Sequence, residues 1–259
     1  MAVIIGNDKG GVGKDLVAEG IYLAARQRGQ IPVLIEVEIE KRLANLYPEA
    51  VHVMAGSTSP EELYRNPDKA FAPLDDAMTR AQEADLAIVS LGANLTQALQ
   101  VWAQSSSHAL FGEGETLTFA IVLTMARGAM SSGLSNLYEL GRLFPASRRV
   151  AVLNESVADF IDGDKHLPKR LKEAKGKAKA IETVKLPRMA APAWGYLQNM
   201  GSLPEIAAKK ASELVAFGLP PLPSARSLVM VEKWIADDLI TPLSMLLPSN
   251  IANTPNSVP

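Results

Sequence analysis

Residues 8–15, Asp8-Lys9-Gly10-Gly11-Val12-Gly13-Lys14-Asp15, place three glycines and two lysines in one short stretch. Glycine-rich backbone can wrap its N–H groups around a polyphosphate, and an adjacent ammonium can neutralise the phosphate charge. The expected phosphate contacts are Gly10, Gly11, Val12, Gly13 and Lys14, followed by Asp15 and Leu16 at the start of a helix. Against the phosphate-loop spacing G-x-x-x-x-G-K-[ST], two positions differ. Asp8 stands where the first glycine belongs, and Asp15 stands where a hydroxyl would bind Mg²⁺.

Such a loop works only between a strand and a helix. Ala2-Val3-Ile4-Ile5 is apolar, mostly β-branched and bounded by Gly6, which predicts a buried parallel strand. Leu16, Val17, Gly20, Ile21, Leu23 and Ala24 recur at helical spacing, and Gly29 closes the segment. Further strands are predicted at 32–38, 86–89, 117–125 and 149–154, with helices within 60–83, at 95–103 and at 134–144. This alternation predicts an α/β fold with a mostly parallel sheet and helices on both faces. Ligands then gather at the carboxyl ends of the strands, where the glycine loop lies.

The run Lys9-Gly10-Gly11-Val12-Gly13-Lys14 resembles the deviant Walker A motif of the ParA/MinD superfamily of P-loop ATPases. The resemblance implies ATP as cofactor, with Lys14 acting within its own site and Lys9 reaching the partner's phosphates in a nucleotide-sandwich homodimer. It also implies acidic residues at the end of the second strand that position water and Mg²⁺; the matching residues are Glu36 and Glu38. Asn154 and Pro187 match positions that frame adenine in the family, although both residue types are common in turns. Leu91-Gly92-Ala93-Asn94 and Leu153-Asn154-Glu155 are similar to the StbB/TraL-like branch, which serves plasmid stability and conjugation. That branch implies a DNA-bound partner protein.

The family ends its third strand with an aspartate, where this chain has Ser90. Phosphate-loop enzymes set a hydroxyl at the loop and a carboxylate at the strand end. Here Asp15 and Ser90 are in the reverse arrangement. One reading is an exchange of ligand types, with Asp15 and Ser90 holding Mg²⁺ together. A second is degeneration into a nonhydrolysing P-loop scaffold that binds a protein or DNA, because an unneutralised Asp15 repels phosphate. A third is that Asp15 merely complements the positive end of its helix.

The 259 residues suit one large domain, with residues 1–247 folded and 248–259, rich in Pro, Ser and Asn, forming a flexible tail. The net charge of −2 gives no global attraction to nucleic acid, and the lack of cysteine excludes disulfides and thiolate metal sites. No signal peptide and no run of membrane-spanning length is evident, so the expectation is a cytoplasmic protein without membrane insertion. Lys165, Lys169, Arg170, Lys172, Lys175, Lys177 and Lys179 form a basic run, read either as a solvated face or as a patch for DNA phosphates or an acidic partner. Residues 228–247 have helical apolar spacing with acidic polar positions, which favours packing on the domain or a partner over a membrane surface.

Overall fold

The computed structural model describes residues 1–54, 67–106, 117–126, 128–160, 165–177 and 179–248. The tail expected beyond residue 248 lies outside them. Seven strands form one sheet: β1 (Ala2–Gly6), β2 (Val33–Glu38), β3 (Val51–Met54), β4 (Ala87–Leu91), β5 (Leu117–Leu123), β6 (Arg148–Asn154) and β7 (Ile181–Leu186). Their order is β3-β2-β4-β1-β5-β6-β7, and every recorded pairing is parallel. Parallel neighbours need crossovers. These are supplied by α1 (Lys14–Gln27), α2 (Leu43–Leu46), α3 (Pro67–Glu83), α4 (Leu95–Ser106), α5 (Ala129–Leu143) and α6 (Leu167–Lys175).

Side chains alternate across a strand, so each buried strand feeds two cores. Ala2 and Ile4 of β1 face one cluster, with Phe71, Leu74 and Met78 of α3, Trp102 of α4, and Leu137 and Leu140 of α5. Val3 and Ile5 face the other cluster, made by α1 and the C-terminal helices. The expected sandwich of helices around a parallel sheet is therefore the observed fold. The short elements β3 and α2, and the short helices Trp194–Leu197, Leu203–Ala207 and Ala211–Ala216, have no counterpart among the elements predicted from the sequence.

The C-terminal segment folds onto its own domain. A helix (Pro221–Lys233) runs on through a wider π-helical stretch (Trp234–Ile240) and a last short turn (Thr241–Leu243). Trp234, Ile235, Leu239, Ile240 and Leu243 are buried in the same core as α1. A Cβ placed on Gly20 of α1 would lie 2.5 Å from Leu243 and 3.1 Å from Leu239, so glycine permits this close approach.

The basic run spans α6 and the turn after it. Leu167, Leu171 and Ala174 are buried, while Lys169, Lys172, Lys175, Lys177 and Lys179 are exposed. Beneath them, fully buried Arg149 donates to the carbonyls of Leu137, at 2.6 Å, and Lys179, at 2.6 Å. It also reaches the Ala174 carbonyl at 3.5 Å and that of Lys175 at 3.3 Å, tying the end of α6 to the sheet. No described helix is long and apolar enough to cross a membrane.

Candidate functional site

The chain leaves the carboxyl end of β1, a central strand, and turns through the glycine loop into α1. Gly11 and Gly13 have φ of 73° and 92°, the left-handed region that a Cβ opposes. Gly13 stands at the N-cap of α1 with no side-chain cap. The first-turn amides of a helix have no intrahelical acceptor, and they sit at the positive end of its dipole.

Three polar side chains hold this turn, and two of them, Asn7 and Asn154, are buried. Asn7, with no exposed surface, donates through Nδ2 to the carbonyls of Val122 at 2.7 Å and Ala129 at 3.0 Å. Its Oδ1 accepts the Lys9 N–H at 2.9 Å. Asp8 accepts the Gln97 N–H at 2.9 Å, joining the loop to the first turn of α4. Asn154, at the end of β6, donates from Nδ2 to the Val12 carbonyl at 2.9 Å, and its Oδ1 accepts the Ser156 N–H at 3.1 Å. A Cβ on Gly13 would approach that Nδ2 to 2.5 Å.

The lysines take different positions. Lys14 is buried, its Nζ donating to the carbonyls of Asn7 at 3.1 Å and Lys9 at 3.4 Å. Burial holds its pKa below the usual lysine value, with the carboxylates of Asp15, Glu38 and Asp8 opposing that shift. Lys9 is exposed on the loop.

Across from the loop stands the end of β2. A cleft of about 450 Å³ is lined by Gly10, Gly11, Val12, Gly13, Lys14 and Asp15 on one side. Glu38, Ile39, Glu40, Arg42 and Ala93 close the other. Behind the lining, the buried Ser90 hydroxyl donates to Asp15 Oδ1 at 3.1 Å. On the far side of Asp15, Arg42 Nη1 lies 3.8 Å from Oδ2.

The two glutamates part company. Alternation sends Glu36 and Glu38 to the same face, yet only Glu38 lines the cleft. Glu36 is 1% exposed, and Oε1 accepts the N–H groups of Arg42 at 2.8 Å and Leu43 at 2.9 Å. Oε2 accepts that of Ala44 at 3.1 Å. A buried carboxylate is thus satisfied by the amides that open α2, a partnership well matched to the positive end of a helix turn. Of the two glutamates expected to orient water, Glu36 is engaged by these amides and holds the wall that carries Arg42.

Asn154 and Pro187 also lie outside the lining of this cleft. Asn154 braces the loop from behind, and the Pro187 carbonyl accepts the Trp234 indole N–H at 2.8 Å. Asn7 and Arg42 were not singled out in the sequence. Asn7 directly precedes the phosphate-loop spacing, and a polar residue between the strand and the loop was the available signal. Arg42 follows Glu38 and Glu40 in a charged stretch whose fold the sequence does not show.

The oxygens of Asp15 and Ser90 suit a hard cation such as Mg²⁺ in kind. They come from only two residues, and no group of three or more His, Cys, Asp or Glu residues among the described residues could hold a metal. Phosphate oxygens and water would have to complete the coordination.

No family model and no curated protein matches the sequence. Among solved structures, the chain is similar to the MinD cell division protein of Aquifex aeolicus, at 13% identity over 90% of this chain and 94% of that one, with a TM-score of 0.40. It is similar to a MinC:MinD cell division complex of the same organism at 13% identity, with the same coverage of 90% and 94% and a TM-score of 0.44. A third is cobyrinic acid a,c-diamide synthase from Mycobacterium smegmatis, with bound ADP and magnesium, at 14% identity over 73% of this chain and 85% of that one, with a TM-score of 0.43.

Proposed function

We propose that this chain is a ParA/MinD-type protein that binds ATP with Mg²⁺ and acts as a nucleotide-dependent dimer switch in plasmid partition, stability or transfer. The observation that carries the reading is the uncapped start of α1 behind the Gly10–Gly13 turn, with the Lys14 ammonium beside it at the end of a central strand. Backbone amides and an ammonium converging at a helix N-terminus form an anion site suited to a polyphosphate.

In this reading the amides of Gly10, Gly11, Val12 and Gly13, with those of Asp15 and Leu16, hold the phosphates, and Lys14 balances their charge. Mg²⁺, when bound, would neutralise the terminal phosphates, with Asp15 and Ser90 as its protein oxygens. Glu38 faces the cleft and is the residue we assign to orienting water. Lys9 projects from the loop, where a second copy's phosphates would meet it. Asn154 keeps its carryover to the nucleotide site as the brace of Val12, and Pro187 as part of the segment after β7. The exposed lysines of 165–179 are the surface we assign to DNA or to an acidic DNA-bound partner.

The test is ATP titration by calorimetry, with Mg²⁺ and with EDTA, joined to light scattering of the wild type, Lys9→Ala and Lys14→Ala. The reading expects Mg²⁺-dependent binding that Lys14→Ala abolishes, and ATP-dependent dimers that Lys9→Ala prevents. Affinity that ignores Mg²⁺ would remove Asp15 and Ser90 as metal ligands.

A second reading, a nonhydrolysing scaffold, is favoured by one observation: Asp15 sits against Arg42 and Ser90 rather than in a larger acidic cluster. Indifference of all three proteins to ATP would select it.

A further inference from the structure

We propose that Arg42 is a terminal-phosphate ligand that rests on Asp15 until a triphosphate enters, making it the residue that separates ATP from ADP. The inference rests on the nucleotide-binding reading above and adds a residue to it. Three observations converge on Arg42. Its guanidinium lines the cleft opposite the glycine loop and is 3.8 Å from the Asp15 carboxylate. Asp15 immediately follows Lys14, where phosphate-loop proteins have the hydroxyl that meets the cation near the β- and γ-phosphates. The backbone of Arg42 is fixed in place, because buried Glu36 accepts its N–H at 2.8 Å together with those of the next two residues.

Without a cation beside it, the Asp15 carboxylate would repel an incoming phosphate. Arg42 is that cation in the structure described, while its side chain remains 64% exposed and so is free to change rotamer. When a cation carried by the triphosphate occupies Asp15, Arg42 is displaced and finds the new negative charge beside it. A guanidinium presents a planar fork of donors that matches phosphate oxygens, which an ammonium does not. The loop amides would serve the inner phosphates and Lys14 would reach the β- and γ-phosphates from the loop side, so a group across the cleft would meet the outermost phosphate from its open side.

The experiment measures ATP and ADP affinities by calorimetry, with Mg²⁺, for the wild type, Arg42→Ala, Arg42→Lys and Lys14→Ala. Circular dichroism melts of each variant check folding. Arg42→Ala should lower ATP affinity by roughly ten- to a hundredfold, as expected for a lost charge-assisted contact, while leaving ADP within about twofold. Arg42→Lys should recover part of the loss, which also covers the case in which the alanine variant folds poorly. Equal affinities for wild type and Arg42 variants, or equal losses for ATP and ADP, would overturn the assignment while Lys14→Ala still abolished binding. Failure of the wild type to bind either nucleotide would instead overturn the nucleotide reading, and this inference with it.

Discussion

On the loop wall of the cleft, the chain turns through Gly11 and Gly13 at positive φ and is gripped from below by Asn7 and Asn154. On the facing wall, one buried carboxylate, Glu36, holds three successive amides, and Arg42, which lines the cleft, hangs from that clamp. The first wall has a local code: glycine where φ is positive, lysine directly after the last glycine, a strand before and a helix after. The second is built by tertiary contact alone. A residue's type does not reveal whether its carboxylate faces a cleft or a helix turn, and the choice between Glu36 and Glu38 depended on where α2 folds back.

That difference explains what could be read from the sequence. The strand, loop and first helix were legible because apolar periodicity and glycine conformation are properties of neighbouring residues. The pairing of Ser90 with Asp15 came from the family resemblance, and the two meet because they sit at the carboxyl edge of adjacent strands or their loops. Arg42 was not, because a four-residue helix leaves almost no periodic signal and its position depends on Glu36. Asn154 was matched to the nucleotide base through the family resemblance, and its contact with the Val12 carbonyl depends on tertiary structure that the sequence does not show. β3 escaped for the same reason as α2: Val51–Met54 is too short to alternate convincingly.

The largest expected effect breaks the loop wall's chemistry without breaking its shape. Lys14→Ala should reduce ATP affinity by roughly a hundredfold or more, because contacts from a charged donor count for more than neutral ones. Unfolding by urea should shift little, since the lysine's burial is itself unfavourable to its charge. A large loss of stability with affinity preserved would mean that Lys14 is a structural strut.

Next comes the clamp on the facing wall. Glu36→Ala strands the Leu43 amide in a buried setting and frees those of Arg42 and Ala44, at roughly 1–3 kcal/mol for each buried donor left unpaired. Urea unfolding should register that loss, and ATP affinity should fall as Arg42 loses its fixed backbone. Stability unchanged within about 0.5 kcal/mol would show that water replaces the carboxylate and that the clamp is weak.

Asn154→Ala sharpens the comparison on the loop side. It removes the donor to Val12 and leaves a buried carbonyl, for a cost of about 1–2 kcal/mol. If the asparagine serves the loop, ATP and GTP affinities should fall in equal proportion. Selective loss for ATP would restore it to the adenine.

The smallest effect concerns Glu19, buried in α1 behind both walls. Its Oε1 accepts the Tyr47 hydroxyl at 2.6 Å and the Leu203 N–H at 2.6 Å, linking the end of α2 to the C-terminal helices. Burial raises its pKa above the usual carboxylate value, outweighing those two hydrogen bonds. A raised folded-state pKa means that the folded protein binds the proton more tightly than the unfolded chain. The contribution to stability is therefore greatest below the unfolded value and declines as pH rises through the folded one. Glu19→Gln keeps an Oε1 acceptor for both donors and removes the ionisation. Urea unfolding as a function of pH should lose that decline in the variant, leaving it equal to or more stable than the wild type at neutral pH by about 1 kcal/mol or less. A variant markedly less stable at neutral pH would mean that the charge itself, attracting Tyr47 and the Leu203 amide, holds the two regions together.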